Sequence, residues 1–491
     1  MENTRTLPIR GVLTVIGGFL IHFTIGTGNI FGNINPYVTS YIRARSSSTN
    51  VTYSETIWIP TAKYVTFGFL MPVLGWAEQM LPPKFSTLIG GLIFSSSLFL
   101  TYLALQHSLL LSALTYGAMY GAGICMAYPG AMKTALKWFP GRSGLVTGII
   151  LSGVGVGTIV FNQVVTAFIN PDNLSPDETI KDDLFFTQTS LLDRVPDCFL
   201  LLGGVCTITQ LFAVVFLMST PTDKPTDTPT QERNSEKEVN KSHDEDTNQD
   251  EKPKQMYNSM ITSNRPNSAS SSENDDGSFT PLQVLRSKLF YLLWVIQSCV
   301  ILGIILVSTF YKTFSQTFIK DDHFLALAGS VGSAFNALGR PFWGAVGDKI
   351  GFRESLTIVI GVFGTAGATF TLCEYGGKVM LMIWLCLLNG SYSGFLALMP
   401  SLIVSLYGQK YYSVNYGLLI TSHICVQLAS ALLTSQLKTA IGCHEILYIG
   451  AGRIMFSFFL CCAVLVHYRL TRRKEKKFNN KHTGNPVAIR L

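Results

Sequence analysis

Charge is scarce in this 491-residue chain: Asp, Glu, Lys and Arg together make up 14% of it, where a soluble globular chain carries about 25%. That shortage argues against a water-exposed surface over most of its length. The ten cysteines are scattered, mostly inside apolar runs, and form no CxxC pair, which argues against a disulfide framework or a zinc site. The sequence has no phosphate-cradling P-loop, so ATP hydrolysis is not expected of it; a GxSxG elbow and an HExxH pair are also missing. An enzyme is therefore not expected, nor a cofactor or a bound metal. The formal net charge of +7 is too modest to suggest a nucleic-acid partner. No cleavable leader is evident, because the first apolar run, GVLTVIGGFLIHFTIGTGNIFG, is long enough to span a bilayer and lacks a clear cleavage site.

What the chain has instead is long apolar runs. Hydrophobic residues reach 48%, aromatics 12%, and there are 43 glycines, a composition that suits close-packed membrane helices. A bilayer core needs roughly 20 apolar residues per helix. About twelve candidate spans follow, near 10–33, 58–77, 85–105, 109–132, 144–168, 197–218, 288–311, 324–346, 354–373, 378–402, 413–436 and 447–468. The expected fold class is an all-α membrane protein of twelve transmembrane helices in two six-helix halves. Residues 1–219 form the first half and 284–468 the second. Between them, 220–283 is polar, charged and rich in Pro, Ser and Thr, and is expected to be a disordered linker. Residues 469–491 form a basic tail.

Lys and Arg set the expected orientation. The tail RLTRRKEKKF and the loop KTALKWFPGR are basic, whereas the loop near 170–195 is acidic. Both termini and the linker are accordingly placed in the cytosol. The sequons at Asn50 and Asn173 then fall outside as glycosylation candidates; those at Asn240, in the linker, and Asn389, in a span, should go unused. The plasma membrane is the expected location, with an organelle membrane as the alternative.

Charged and polar positions inside the spans carry the functional signal, because an unpaired intramembrane charge is costly and marks a cavity or a partner. Arg340 is the sharpest. Asn336, Ser333, Gly332 and Gly329 share its helical face, a small, polar surface suited to a wet pore wall. A guanidinium is a planar fork that grips carboxylates bidentately. The bland alternatives are snorkelling to the surface or a purely structural ion pair. His423, Gln427, Ser430 and Thr434 form a second polar stripe at helical spacing, in which His423 could carry a proton or pair with an anion, or simply be satisfied by a backbone carbonyl. His22, Gly26, Asn29 and Asn33 form a third, and Tyr128 is placed to line the inner vestibule. Lys63, near the outer end of its span, is assigned to snorkelling. Gly344, Asp348, Lys349, Gly351 and Arg353, in GAVGDKIGFR, form a charged turn that reads as a gate component, with Asp348 able to bond helix termini across the bundle. The glycines of GLVTGIILSGVGVGT suit close helix packing, or a hinge.

Twelve spans in two halves with GAVGDKIGFR in the second resemble the major facilitator superfamily, although the first copy of that motif, GWAEQMLPPK, keeps only Gly75 and a carboxylate at Glu78. KWFPGRSGLVTGIILSGVGVGTIVFN, FNALGRPFWGAVGD and NYGLLITSH are similar to the oxalate/formate antiporter branch and its monocarboxylate-transporter relatives. The resemblance covers nearly all of the membrane part. It implies a rocking two-half transporter with a midplane site, in which Arg340 binds a substrate carboxylate and His423 stands where that branch has a second, lysine cation. Animal monocarboxylate carriers have a carboxylate where Asn336 stands, and a lysine in the first span that this chain lacks.

The expected function is secondary transport of small organic anions, with monocarboxylates of the lactate, pyruvate or formate type as the leading substrates, by alternating access with proton symport or anion exchange. Arg340, His423, Asn336, His22, Asn29, Asn33, Tyr128 and Gln427 are the candidate substrate-binding residues. Expected partners are the anion, protons and the lipid bilayer, with an accessory membrane glycoprotein left open. The rival readings are a transporter of an amino acid, sugar or drug, and a non-transporting sensor or scaffold.

Overall fold

A computed structural model describes residues 9–45, 51–180, 183–217, 278–315, 317–319, 321–440 and 443–481. The sequons at Asn50 and Asn240, and most of the linker, lie outside the described residues. The first expected span is a broken helix: α1 (Ile9–Ile25) passes into a 3₁₀ turn over Gly26–Gly28 and resumes as α2 (Phe31–Arg45). Glycines flanking Thr27 are poor helix formers, so this is where the ladder gives way. There follow α3 (Trp58–Met80), α4 (Pro83–His107), α5 (Leu109–Trp138), α6 (Ser143–Ile169) and α7 (Arg194–Phe216). The second half comprises α8 (Lys288–Ser315), α9 (Asp322–Ile350), α10 (Phe352–Ala368), α11 (Cys373–Tyr407), α12 (Tyr412–Ile420), α13 (Ser422–Ala440) and α14 (Cys443–Lys481).

With α1–α2 and α12–α13 each taken as one segment, every expected span has a helix among the described residues. Eight of these helices are long and apolar enough to cross a membrane. The others include α3, α9 and α12–α13, which carry Lys63, Arg340 and His423. Hydropathy thus drops where polar side chains line the middle of the bundle. The opposite faces are apolar and outward: Phe69, Leu110, Ile208 and Leu338 are exposed, a belt that water would not favour and lipid does.

Two local features depart from the sequence expectation, one a hairpin and the other a shifted linker boundary. The acidic connection after α6 contains a small antiparallel hairpin, β1 (Glu178–Ile180) with β2 (Asp183–Phe185). Its base is pinned by Asp177, which accepts from the Thr187 amide at 2.8 Å and the Thr187 hydroxyl at 2.5 Å. Those two bonds favour the ionised form and hold the Asp177 carboxyl below its ordinary value. Asn173 sits exposed in the same connection. At the C-terminal end of the expected linker, Pro281–Leu285 is already helical, capped by Thr280, so helix lies slightly upstream of the boundary read from composition.

The halves meet along two seams. In one, α6 crosses α9 where Gly144 faces Gly344: a Cβ built on either residue would land on the other's carbonyl oxygen. Only glycine permits that approach. In the other, α3 meets α12, with Gly75 against Ser413 and Gly417 against Pro72.

Candidate functional site

Arg340 sits one turn above the α6–α9 crossing and is 5% exposed, so it does not snorkel. Its guanidinium donates to the Leu151 carbonyl across the seam and to Asn336 Oδ1 at 3.0 Å. Asn336 is one turn back on the same helix and steadies the fork. The Arg340 Nε has no partner. Beyond these groups lies a central cavity of about 170 Å³, room for about six waters. It is lined by α3, α5, α6 and the α1–α2 break from one half and by α8, α9, α11, α12 and α13 from the other.

The second cation of this cavity is Lys63, and here the sequence expectation is corrected. Lys63 is 5% exposed and lines the cavity; it does not reach for the membrane surface. Its ammonium donates to the Gly28 carbonyl at 2.5 Å and lies 4.1 Å from the centre of the Tyr64 ring. The broken first span makes this possible. Where α1 ends, its last carbonyls lose their intrahelical donors. Tyr116 donates to the Thr27 carbonyl at 2.9 Å, Tyr120 to the Ile25 carbonyl at 3.2 Å, and Lys63 takes Gly28. Both tyrosines come from α5, whose turn over Ala113–Met119 is wound as a π-helix.

His423 lies in the first turn of α13 and lines the same cavity. The preceding break between α12 and α13 is held by Trp294, which donates to Thr421 Oγ1 at 2.9 Å, and by Gln297, which donates to Ser422 Oγ at 3.2 Å. The imidazole packs between Tyr64 and Phe67 at 6.3 and 6.2 Å between ring centres, and its Nδ1 is buried without a partner. Asn29 lines the cavity and accepts from the Tyr64 hydroxyl at 3.3 Å. Tyr128 lines it too, stacked on Tyr416 of α12 at 6.1 Å with planes 11° apart.

Four of the expected residues are not brought to the cavity wall: Asn336 stands behind Arg340 as its hydrogen-bond partner, and three others lie further away. His22 is fully buried behind Tyr128, 4.8 Å between ring centres. Its Nδ1 lies 2.8 Å from the Gly18 carbonyl and must be the donor, because a carbonyl only accepts; Nε2 is left without a partner. Asn33 is turned away, donating to the Asn162 carbonyl at 3.2 Å and to Thr166 Oγ1 at 2.9 Å. The helix break resets the phase between His22 and Asn33, so the stripe drawn through a continuous helix does not exist. Gln427 is half-buried one turn past His423, beyond the cavity lining. Conversely, Tyr64, Gln297, Tyr392 and Tyr416 line the site and were not read from the sequence, since neutral polar groups in a span carry little signal.

In the GAVGDKIGFR turn, Asp348 accepts from the Gly144 and Leu145 amides, both at 2.8 Å. It thereby caps the N-terminus of α6 from the other half, where the helix dipole favours negative charge. Lys349 is exposed, Gly351 has φ +101°, and Arg353 opens α10, half-buried.

A largely apolar cavity that carries two basic side chains and lies between two six-helix halves suits a small charged solute. The chain belongs to the Major Facilitator Superfamily, whose profile matches residues 14–434 and 293–490. It is 26% identical over 481 residues to apicoplast pyruvate carrier 1 of Toxoplasma gondii, covering 88% of this chain and 84% of that one. The oxalate:formate antiporter of Oxalobacter formigenes is 23% identical over 345 residues, covering 70% of this chain and 67% of that one. The crystal structure of the fucose:proton symporter of E. coli superposes with a TM-score of 0.58 at 12% identity, covering 93% of this chain and 98% of that one; this likeness shows the fold. The protein is therefore a multi-pass membrane transporter and not an enzyme.

Proposed function

We propose that this transporter carries small organic anions, with monocarboxylates of the pyruvate type as the leading substrates. One observation carries the reading: Lys63 and Arg340 line the cavity, and among the described residues that line it there is no Asp or Glu. Two buried cations without a carboxylate are costly, and a bound anion is the natural counter-ion. Arg340 offers the fork for the carboxylate, steadied by Asn336. His423, with an open Nδ1, is the candidate for a coupled proton. The pyruvate carrier and the oxalate:formate antiporter among the relatives support the same substrate class. The Asp348 contact to α6, with the Gly144–Gly344 crossing, serves as the latch of one conformation, and both termini are taken as cytosolic.

The test is uptake of labelled pyruvate, lactate, formate and oxalate into proteoliposomes, with and without an inward proton gradient and with and without internal anion. Gradient-stimulated uptake identifies proton symport; uptake that requires internal anion identifies exchange. Absence of flux for all four would move the substrate elsewhere. A sensor acting through the linker is distinguished by deleting residues 225–275: flux is expected to stay within about twofold of wild type, because none of the residues that line the cavity falls in that stretch.

A further inference from the structure

The first described residues on the way into the second half do more than lead into α8. Ser278 and Phe279 lie against the turn between α11 and α12. The Phe279 amide donates to the carbonyl of Tyr407, the last residue of α11, at 2.8 Å, where a helix end leaves carbonyls without donors. The Phe279 carbonyl accepts from Asn415 Nδ2 of α12 at 3.1 Å. Asn415 is fully buried, and its Oδ1 has no partner among the described residues. Gly408 makes the approach possible: it has φ +82°, and a Cβ on it would fall on Ser278 Oγ. Thr280, Pro281 and Gln283 then fix the chain as a capped helix start, with Val284 buried. The amide and carbonyl of one residue thus staple the end of α11 to the side of α12.

What the staple holds is the helix that closes the bundle on the Asp348 side. The turns at Asp348 and Gly408 lie at the same end, because α10 and α11 run out and back between them. α12 is a separate short helix, broken from α13 before Ser422, and it meets the first half along its length. Gln409, in the turn before it, donates to the Lys133 carbonyl at 3.4 Å. Ser413 abuts Gly75, Tyr416 stacks on Tyr128, and Gly417 abuts Pro72. We infer that Ser278 and Phe279 form a clasp that seats α12 against α3 and so keeps the cavity shut on the Asp348 side. The connection between the halves then acts on that closure from behind, through its last residues. Releasing the clasp strands a buried amide, which costs more than losing an exposed hydrogen bond, so α12 is seated with the clasp and shifts without it. The inference rests on the reading of the Asp348 contact as a latch, and adds a second hold on the same closure.

The experiment follows a cysteine introduced at Val154, which lines the cavity, in full-length protein freed of native cysteines and reconstituted in liposomes. Its rate of reaction with an impermeant thiol reagent, applied from the Asp348 side, is compared in the parent, Asn415→Leu, Gly408→Ala, Phe279→Ala and Asp348→Ala. Asn415→Leu and Gly408→Ala are expected to react roughly fivefold faster, the worth of one hydrogen bond. Phe279→Ala keeps the backbone that makes the clasp and is expected to stay within about twofold of the parent. Gly408 lies in a half-buried turn, so its variant reports even where Asn415→Leu, in the core, fails to fold. The parental rate in Gly408→Ala, or in a folded Asn415→Leu, overturns the inference. So does a Phe279→Ala protein as fast as the other two, which would assign the effect to the packing of that ring on Tyr407. If Asp348→Ala speeds labelling and the clasp variants do not, the clasp alone falls and the latch reading stands; if no variant changes the rate, both fall. The readout needs no substrate, so it stands apart from the identity of the anion.

Discussion

Arg340→Met is expected to melt at a higher temperature than wild type and to transport nothing. The two effects have one cause. In the empty protein the guanidinium is buried with a backbone carbonyl, an asparagine oxygen and an unpartnered Nε. Replacing a buried charge that lacks a full set of partners with an apolar side chain of similar length is often stabilising, by about 1–4 kcal/mol. On the proposed function, the bound anion loses the one guanidinium of the described cavity lining. Removing one member of a desolvated charge pair costs about 2–5 kcal/mol, a loss of roughly thirtyfold to several thousandfold in affinity. Arg340→Lys keeps the charge but not the planar fork, and a loss of roughly tenfold is expected, the size of one good hydrogen bond. Melting curves in detergent and saturable uptake in liposomes check both. A variant that transports with wild-type KM, or that melts well below wild type, would show that Arg340 is a structural tie between α6 and α9.

The second large effect is expected at the seam. Gly144→Val places atoms where the Gly344 carbonyl already sits, and Asp348 bonds the amides of Gly144 and its neighbour. Overpacking of a tight contact costs about 1–3 kcal/mol. At the upper end that shifts a two-state ratio by about two powers of ten. The expected outcome is a fall in uptake together with opening of the cavity from the Asp348 side. A cysteine introduced at Val154, which lines the cavity, should then react at least tenfold faster with an impermeant thiol reagent applied from that side, in a background freed of native cysteines. Asp348→Ala should act in the same direction but more weakly, since it removes two hydrogen bonds without adding bulk. Unchanged labelling in Gly144→Val would mean that the crossing does not separate conformations.

Much of this was legible in the amino-acid sequence, and the parts that were not share a physical reason. Length and apolarity fix spans one by one, so each expected span has its helix. Arg340 could be found because a charge in an apolar run has few inexpensive explanations. The same logic applied to Lys63, but its place near a span end made snorkelling seem sufficient. What the sequence does not state is depth: the 3₁₀ break at Gly26–Gly28 supplies the carbonyl that draws Lys63 inward, and two glycines of α5 give α3 the room to come close. That same break explains Asn33, whose helical spacing from Asn29 was real only on an unbroken helix. Asp348 was read as able to bond a helix terminus; that it is the start of α6 follows only once the halves are assembled.

That no carboxylate stands among the described residues of the cavity wall has an electrical consequence. On the proposed reading, Lys63 and Arg340 face an empty cavity during the unloaded return, and a bound monocarboxylate would cancel only one of the two charges. Each elementary charge carried across the full membrane potential is worth about 2.3 kcal/mol per 100 mV. The unloaded return is therefore the step that the voltage penalises or drives most. A carrier balanced in this way turns over most readily with cargo aboard in both directions, so swapping one anion for another should outpace net movement, and net movement should respond to voltage.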